Sequence, residues 1–306
     1  MHKITIPENS SSNCFDSVFY SLLKFFKFDY EAYNIKYFYT DYYNNITHCI
    51  CRGKSNENIL KDIYGIDLIF KDRDRSSDLS EIVCNSINSR IVGIVIDPYY
   101  CYWSPFYHQS HYWHTILIVG VDYHTKKYIC FDVHFNLVGY IEADFAVINK
   151  YFERYYTFNF KETNEVRLEL MIDKIKVLLN SFDNNINMKK AEMINYFVKT
   201  DKKALFPENL KTSVPLINLM WIAEDKKNFS IALRHIENKI GKLIFFPVYE
   251  LLSISEQNFL LLKSMLIRYA ITGALIEDNL RNIINRIFDT DAMTIGYIKN
   301  ILGDIA

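Results

Sequence analysis

Apolar residues begin to recur at helical spacing directly after a run of small polar residues near the start of the chain. Residues 10–13 read Ser-Ser-Ser-Asn, which are helix-capping types, and residues 14–23 carry apolar side chains three and four positions apart. This pattern predicts a helix whose first turn contains Cys14. The positive end of the helix dipole favours a thiolate there, so Cys14 is a candidate nucleophile.

Three later runs rich in β-branched residues have the lengths of strands: residues 91–97, 114–123 and 128–132. The turn-like sequence His-Thr-Lys-Lys at 124–127 joins the last two runs, which predicts an antiparallel hairpin. In a hairpin the start of the first strand lies near the end of the second, so His114 and Asp132 should meet. The pattern therefore places a candidate base beside a carboxylate.

Helical spacing dominates the chain from residue 161 onward, after a last strand-like run at 151–158. Five segments carry apolar residues with a period near that of a helix: residues 166–179, 188–198, 213–240, 256–271 and 275–287. We therefore expect an α+β domain over residues 1–160 and an all-helical domain over residues 161–306. The helical domain carries no catalytic motif. It is expected either to act as a scaffold or to take part in substrate and partner binding.

The composition argues against a nucleic-acid-binding or membrane protein. The chain has 306 residues, of which 50% are hydrophobic, and a net charge of −1. It can bury a large core, and its charge does not favour a nucleic-acid partner. No apolar run approaches the roughly 20 residues that span a membrane, and no N-terminal signal is evident. We therefore expect a cytoplasmic protein that binds neither nucleic acid nor membrane, and six cysteines without a regular framework suit a reducing compartment.

Two groups of residues resemble metal sites, but we expect no metal. The segment His-Cys-Ile-Cys at 48–51 matches half of a zinc site, and no second pair with zinc-like spacing exists in the sequence. His108, His111 and His114 are spaced three apart, but the proline and aromatic residues around them predict a loop rather than a metal-binding helix. Of these three histidines, only His114 is therefore a candidate catalytic residue.

The three candidate residues form a chemically complete set. A cysteine nucleophile needs a histidine to take its proton, and the histidine needs a carboxylate or an amide to fix its tautomer. A nucleophile at the start of a helix, followed in the chain by His and Asp on neighbouring strands, is the papain-like arrangement. If Asp132 serves only to orient the histidine, replacing it by Asn is expected to slow the reaction far less than losing Cys14.

The first half of the chain resembles a known family of enzymes. Residues 114–123 and 129–132, together with Asn13-Cys14, resemble the butirosin biosynthesis protein H family. The chain is also similar to the cysteine-protease homologue that forms the amide bonds of closthioamide. The resemblance implies a papain-like cysteine-protease fold and a cysteine-dependent acyltransferase of antibiotic biosynthesis. Such an enzyme moves an acyl group from a carrier-protein thioester to an amine.

The resemblance also implies roles and partners. Cys14 would be the nucleophile, His114 the general base and acid, and Asp132 the residue that orients His114. The partners would be an acyl carrier protein as donor and a small amine or diamine as acceptor, with no cofactor. A negatively charged carrier would meet basic residues of the helical domain, for which three pairs are candidates: Lys189-Lys190, Lys202-Lys203 and Lys226-Lys227.

One departure from papain-like enzymes concerns the oxyanion. Those enzymes usually carry a glutamine a few residues before the cysteine, and this sequence has none there. The candidates to stabilise an oxyanion are therefore Asn9, Asn13 or the backbone N–H of Cys14.

Aromatic residues crowd the loop that leads to His114, and four of them are candidate pocket residues: Tyr102, Trp103, Tyr107 and Trp113. They would suit an aromatic acyl group, although simple packing explains them equally well. Two other functions stay open: a cysteine peptidase or amidase with the same triad, and a non-catalytic binding protein on a papain-like scaffold.

Overall fold

The computed structural model divides the chain into two compact units. Unit 1 comprises residues 1–30 and 60–165, and unit 2 comprises residues 31–59 and 166–306. The structure describes residues 4, 14–38, 42, 46, 51–74, 78–86, 91–109, 111–134, 137–160, 166–180, 186–200, 206 and 213–305. The fold class is α+β, as the sequence predicts.

Unit 1 is built around a six-stranded sheet in which neighbouring strands are antiparallel. Its strands are β1 (Ile66–Asp72), β2 (Val92–Ile96), β3 (His114–Asp122), β4 (Lys127–His134), β5 (Leu137–Asp144) and β6 (Phe152–Phe160). Their order across the sheet is β1-β6-β2-β3-β4-β5. Both predicted strands of the hairpin are therefore present as β3 and β4, in the interior of the sheet.

The hairpin register brings His114 and Asp132 together diagonally. Leu117 pairs with Phe131 and Ile118 with Cys130, and a bulge follows Ile118. Continuing that register places Asp132 opposite residue 116, two positions from His114 along β3. Side chains at this diagonal spacing on one face of a sheet remain within reach of each other.

Helices cover both faces of the sheet. The helices that the structure describes in unit 1 are α1 (Cys14–Phe25), α3 (Leu79–Asn85) and α4 (Phe145–Tyr151), while the residues of α2 (Cys51–Tyr64) are divided between the two units. Leu79 of α3 and Ile148 of α4 belong to a buried apolar cluster on one face. On the other face Phe19 of α1 packs against the rings of Tyr156 and Phe158. The first turn of α1 is thereby fixed relative to the strands.

Gly93 in β2 allows the ring of Tyr156 to lie directly against the backbone. A Cβ atom at position 93 would lie 1.9 Å from Cζ of Tyr156, whose ring is buried. We expect Gly93→Ala to lower the free energy of unfolding by about 3 kcal/mol, because the ring must shift within a packed core. Urea unfolding measures this.

The matched control is Gly139→Ala in β5, where an added Cβ atom has no neighbour within 4 Å. It should change stability by less than about 0.5 kcal/mol. Equal losses of stability in the two variants would contradict the close packing of the Tyr156 ring on Gly93. Adding Tyr156→Leu to Gly93→Ala should recover part of the lost free energy of unfolding.

Unit 2 is helical, as predicted. Its described elements include a 3-10 helix (Tyr30–Tyr37) and, after residue 165, the helices α5 (Leu168–Asn180), α6 (Ile186–Lys199), α7 (Val214–Ile240), α8 (Phe246–Thr272) and α9 (Glu277–Ile305). Gly241 and Gly273, both with positive φ, end α7 and α8. A residue in the left-handed conformation at a helix end allows the last carbonyl groups to accept hydrogen bonds and the chain to change direction. Glycine adopts this conformation without steric cost, so it suits both positions. Among the helices of the described ranges, none is long and apolar enough to cross a lipid bilayer.

The division of the chain differs from the predicted boundary at 160. Residues 31–59 belong to unit 2, and the described side chains of Tyr42 and Ile46 are part of its buried apolar cluster. Phe38 lies 4.6 Å from Phe229 between ring centroids. The remaining boundary, at 165, lies close to the predicted one.

Lys226 corrects one prediction about the helical unit. We expected Lys226-Lys227 to be a surface pair for a carrier protein, but Lys226 is 1% exposed. Its Nζ donates to Asp291 Oδ2 at 3.0 Å and to the Tyr42 hydroxyl at 2.5 Å, while Ser255 donates to Asp291 Oδ1 at 2.8 Å. The Tyr42 hydroxyl also donates to Asp291.

The structure describes some of the other predicted lysines. Lys227 is exposed, Lys190 pairs with Asp289 at 3.5 Å, and Lys202-Lys203 lies outside the described residues. The prediction that Lys226 offers its charge to a carrier protein is therefore wrong, whereas a role of the other lysines in carrier binding stays a prediction.

Candidate active site

Cys14 is the first residue of α1, where the sequence predicts it. Its thiol is free and partly exposed. The residues that follow it in α1 are buried from Asp16 to Leu23, so the helix is anchored along its length while its first residue remains accessible. A thiol in this position combines access to a substrate with the favourable field of a helix N-terminus.

His114 and Asp132 are in direct contact, as predicted. His114 Nε2 lies 2.7 Å from Asp132 Oδ1, and the two side chains are 0% and 2% exposed. Such a short bond between buried groups fixes the ring plane of the histidine. Since Nε2 faces the carboxylate, Nδ1 is the nitrogen that remains to exchange a proton with the thiol.

The protonation of His114 reflects these neighbours. Burial alone would lower its pKa, but the charge of Asp132, the hydrogen bond to Asp132 and a hydrogen bond with Cys14 raise the pKa from its ordinary 6.5 to about 10. The histidine therefore holds its proton at neutral pH. A protonated imidazole within hydrogen-bonding reach of a thiol favours the thiolate by its charge.

Trp103 completes the surroundings of Asp132. Its indole Nε1–H donates to Asp132 Oδ2 at 2.7 Å, and its half-buried ring packs against the apolar cluster of the sheet. The sequence places Trp103 in a substrate pocket, whereas the structure places its N–H on the carboxylate. Both oxygens of Asp132 thus accept a hydrogen bond from a ring nitrogen.

The loop that carries Trp103 is held at its two ends by Asp97. This carboxylate accepts from the backbone N–H of Tyr99 at 3.0 Å and lies 2.6 Å from Nδ1 of His111. The ring of Tyr99 also stacks on His111, with 4.1 Å between centroids. His111 is thereby a loop residue, and its Nδ1 faces Asp97 rather than Asp132.

Tyr112 is a neighbour of the site that belongs to the aromatic residues noted in the sequence of this loop but is not one of the four candidate pocket residues. Its ring lies 6.5 Å from that of His114, edge to face, and its hydroxyl bonds to Ser104. Burial raises the pKa of Tyr112 above its usual range, so the phenol stays neutral. The signal in the sequence is its spacing, because residues two apart in an extended segment share a face.

The other predicted pocket residues lie on the loop that leads to His114. Tyr102, Tyr107 and Trp113 have exposed rings, with Trp113 67% exposed, and the Tyr102 hydroxyl donates to the carbonyl of Glu142. Asn9 and Asn13, the predicted oxyanion residues, lie outside the described residues, as does the segment 48–50.

Within the residues that the structure describes, no cluster of three or more His, Cys, Asp or Glu side chains could hold a metal ion. The groups that the structure places at the site are a thiol, an imidazole and a carboxylate, with the hydroxyl of Tyr112 and the indole of Trp103 beside them. Neither a protein-family model nor a curated protein sequence matches this chain.

Proposed function

We propose that this protein is a cysteine-dependent acyltransferase with a papain-like catalytic unit, which moves an acyl group from a carrier-protein thioester to an amine. The observation that carries the proposal is the connected set Cys14, His114 and Asp132, with the nucleophile at the start of a helix. The order of these residues in the chain and the antiparallel sheet that bears two of them support the papain-like assignment. The choice of an amine acceptor follows from the family resemblance.

The first half of the reaction loads the enzyme. Cys14 Sγ attacks the carbonyl carbon of the thioester, and a new C–S bond forms to the enzyme. The bond between the acyl carbon and the carrier sulfur then breaks, and His114 gives its proton to the departing thiolate. The products are an acyl-Cys14 enzyme with a neutral histidine and a carrier thiol.

The second half resolves the acyl-enzyme. A neutral amine attacks the acyl carbon, and His114 takes the proton that the nitrogen loses as the amide forms. The C–S bond to Cys14 breaks, which restores the thiolate beside a protonated imidazole. Asp132 holds the ring in place and stabilises its positive charge throughout both halves.

Intact-protein mass spectrometry tests this proposal. Wild type, Cys14→Ala and Cys84→Ala would each be mixed with a panel of acyl thioesters, with and without small diamines. Cys84 is an exposed free thiol and serves as the matched control. We expect a stable acyl adduct in wild type and Cys84→Ala but not in Cys14→Ala, and release of the acyl group as an amide when a diamine is added.

Other outcomes separate the remaining functions. An adduct on Cys14 that water discharges as fast as the amine does would favour a cysteine peptidase or amidase. The absence of an adduct with every donor, or an adduct that persists in Cys14→Ala, would contradict the assignment of Cys14 and favour a binding protein.

A further inference from the structure

The carboxylate of Asp132 lies between two ring N–H groups. His114 Nε2 is 2.7 Å from Oδ1, and Trp103 Nε1 is 2.7 Å from Oδ2. An indole nitrogen can only donate a hydrogen bond, so the atom of residue 132 that faces Trp103 must be an acceptor. Asp132 is 2% exposed, so water cannot readily supply a hydrogen bond to a side-chain atom of residue 132 that lacks a partner.

We propose that Trp103 is a positioning residue that makes a carboxylate, and not an amide, necessary at position 132. The inference rests on the proposed function, in which His114 accepts the proton of Cys14 through Nδ1. A carboxylate accepts on both oxygens, and it therefore satisfies Trp103 while keeping the proton of the neutral histidine on Nε2.

An asparagine at position 132 cannot do both. Its side chain offers one acceptor oxygen and one donor NH2. If the oxygen faces Trp103, the NH2 faces His114 Nε2, which must then be the unprotonated nitrogen. The proton of the neutral ring moves to Nδ1, and that nitrogen can no longer accept the proton of the thiol.

The opposite orientation of the amide is no better. If the oxygen faces His114, the NH2 points at the indole N–H of Trp103, and two donors oppose each other in a buried site. Leaving a buried donor without an acceptor corresponds to a factor of about 5 to 150 in an equilibrium. Removing the indole N–H should therefore rescue asparagine at this position.

Alkylation of Cys14 by iodoacetamide tests this pairing. The rate would be followed by mass spectrometry of the Cys14 peptide between pH 6 and 9. We expect Asp132→Asn to lower the rate at pH 7 by about 50-fold or more, and Asp132→Asn/Trp103→Phe to recover at least about tenfold of that loss. Trp103→Phe alone should lower the rate, because it leaves Oδ2 without its donor.

Trp221→Phe is the matched control. Trp221 lies in α7 of unit 2, so this substitution should leave the alkylation profile unchanged. Circular dichroism and the melting temperature of each variant would report on folding. A double variant that is as slow as Asp132→Asn, or slower, would overturn the proposal.

A second measurement needs no substitution of Trp103. In Asp132→Asn, the 15N shifts of His114 should show the neutral ring protonated at Nδ1, with His114→Gln identifying its signals. A ring protonated at Nε2 would refute the proposed conflict even if the double variant failed to fold. Neither readout uses an acyl donor, so the proposal about Trp103 can stand or fail independently of acyl transfer.

Discussion

Replacing His114 by Gln is expected to slow the acylation of Cys14 by about a thousandfold, the range typical of a lost general acid and base. The histidine is fully buried, bonds to Asp132 at 2.7 Å and carries its proton at neutral pH, because Asp132 and Cys14 outweigh burial and raise its pKa to about 10. Glutamine retains polar atoms at the position but cannot hold that charge or exchange a proton.

Single-turnover labelling by an N-acetylcysteamine thioester measures this effect, and alkylation by iodoacetamide measures it without any acyl donor. His124→Gln is the matched control, because His124 is exposed in the turn between β3 and β4. Its rates should stay within about twofold of wild type. A His114→Gln enzyme that reacted within tenfold of wild type would rule out His114 as the base.

Asp291→Asn is expected to lower the free energy of unfolding by about 3 to 5 kcal/mol, as when one partner of a buried ion pair is removed. Lys226 and Asp291 are 1% and 0% exposed, and Nζ of the lysine lies 3.0 Å from Oδ2. An amide at position 291 leaves the ammonium group without its counter-charge, and the rings of Phe38, Tyr42 and Phe259 compensate for it only in part.

Chemical unfolding of three variants tests this cost. Asp289→Asn, on the same helix, is the matched control: its pair with Lys190 is 3.5 Å long and the Asp289 side chain is 72% exposed, so less than about 1 kcal/mol should be lost. Adding Lys226→Met to Asp291→Asn should recover stability, because no charge then remains buried. A double variant less stable than Asp291→Asn alone would show that the lysine contributes by packing rather than by charge.

The elements with strong local patterns could be predicted from the sequence. The apolar spacing of α1, the hairpin of β3 and β4 and the long helix α7 appear close to their predicted bounds. The strands that the sequence did not indicate, β1 and β5, are the two edges of the sheet. An edge strand buries less of its surface, as the mostly exposed residues of β1 show, and it therefore lacks a clear alternation of apolar residues.

The candidate site was predictable only in part, for a similar reason. Cys14, His114 and Asp132 stand beside recognisable local signals, a helix start and a hairpin. The indole of Trp103 reaches Asp132 across 29 residues of chain, and Lys226 meets Asp291 across 65, so no local pattern indicates either contact. Lys226 looks in the sequence like any lysine on a solvated helix face, because its buried partner is distant.

Because residues 31–59 belong to unit 2, the two units are completed at different times during synthesis. All of unit 1 has been synthesised once residue 165 is made, whereas unit 2 begins at residue 31 and ends with α9. The hydroxyl of Tyr42 bonds to Lys226 and Asp291, which are synthesised some 180 to 250 residues later. These hydrogen bonds can therefore form only after most of the chain has been made. A fragment that started at residue 166 would lack Phe38 and Tyr42, which are two of the three aromatic rings that the structure describes around the ammonium group of Lys226. Expression of unit 2 on its own thus requires residues 31–59 as well as residues 166–306. The first segment could be added as a second peptide or joined to the other by circular permutation.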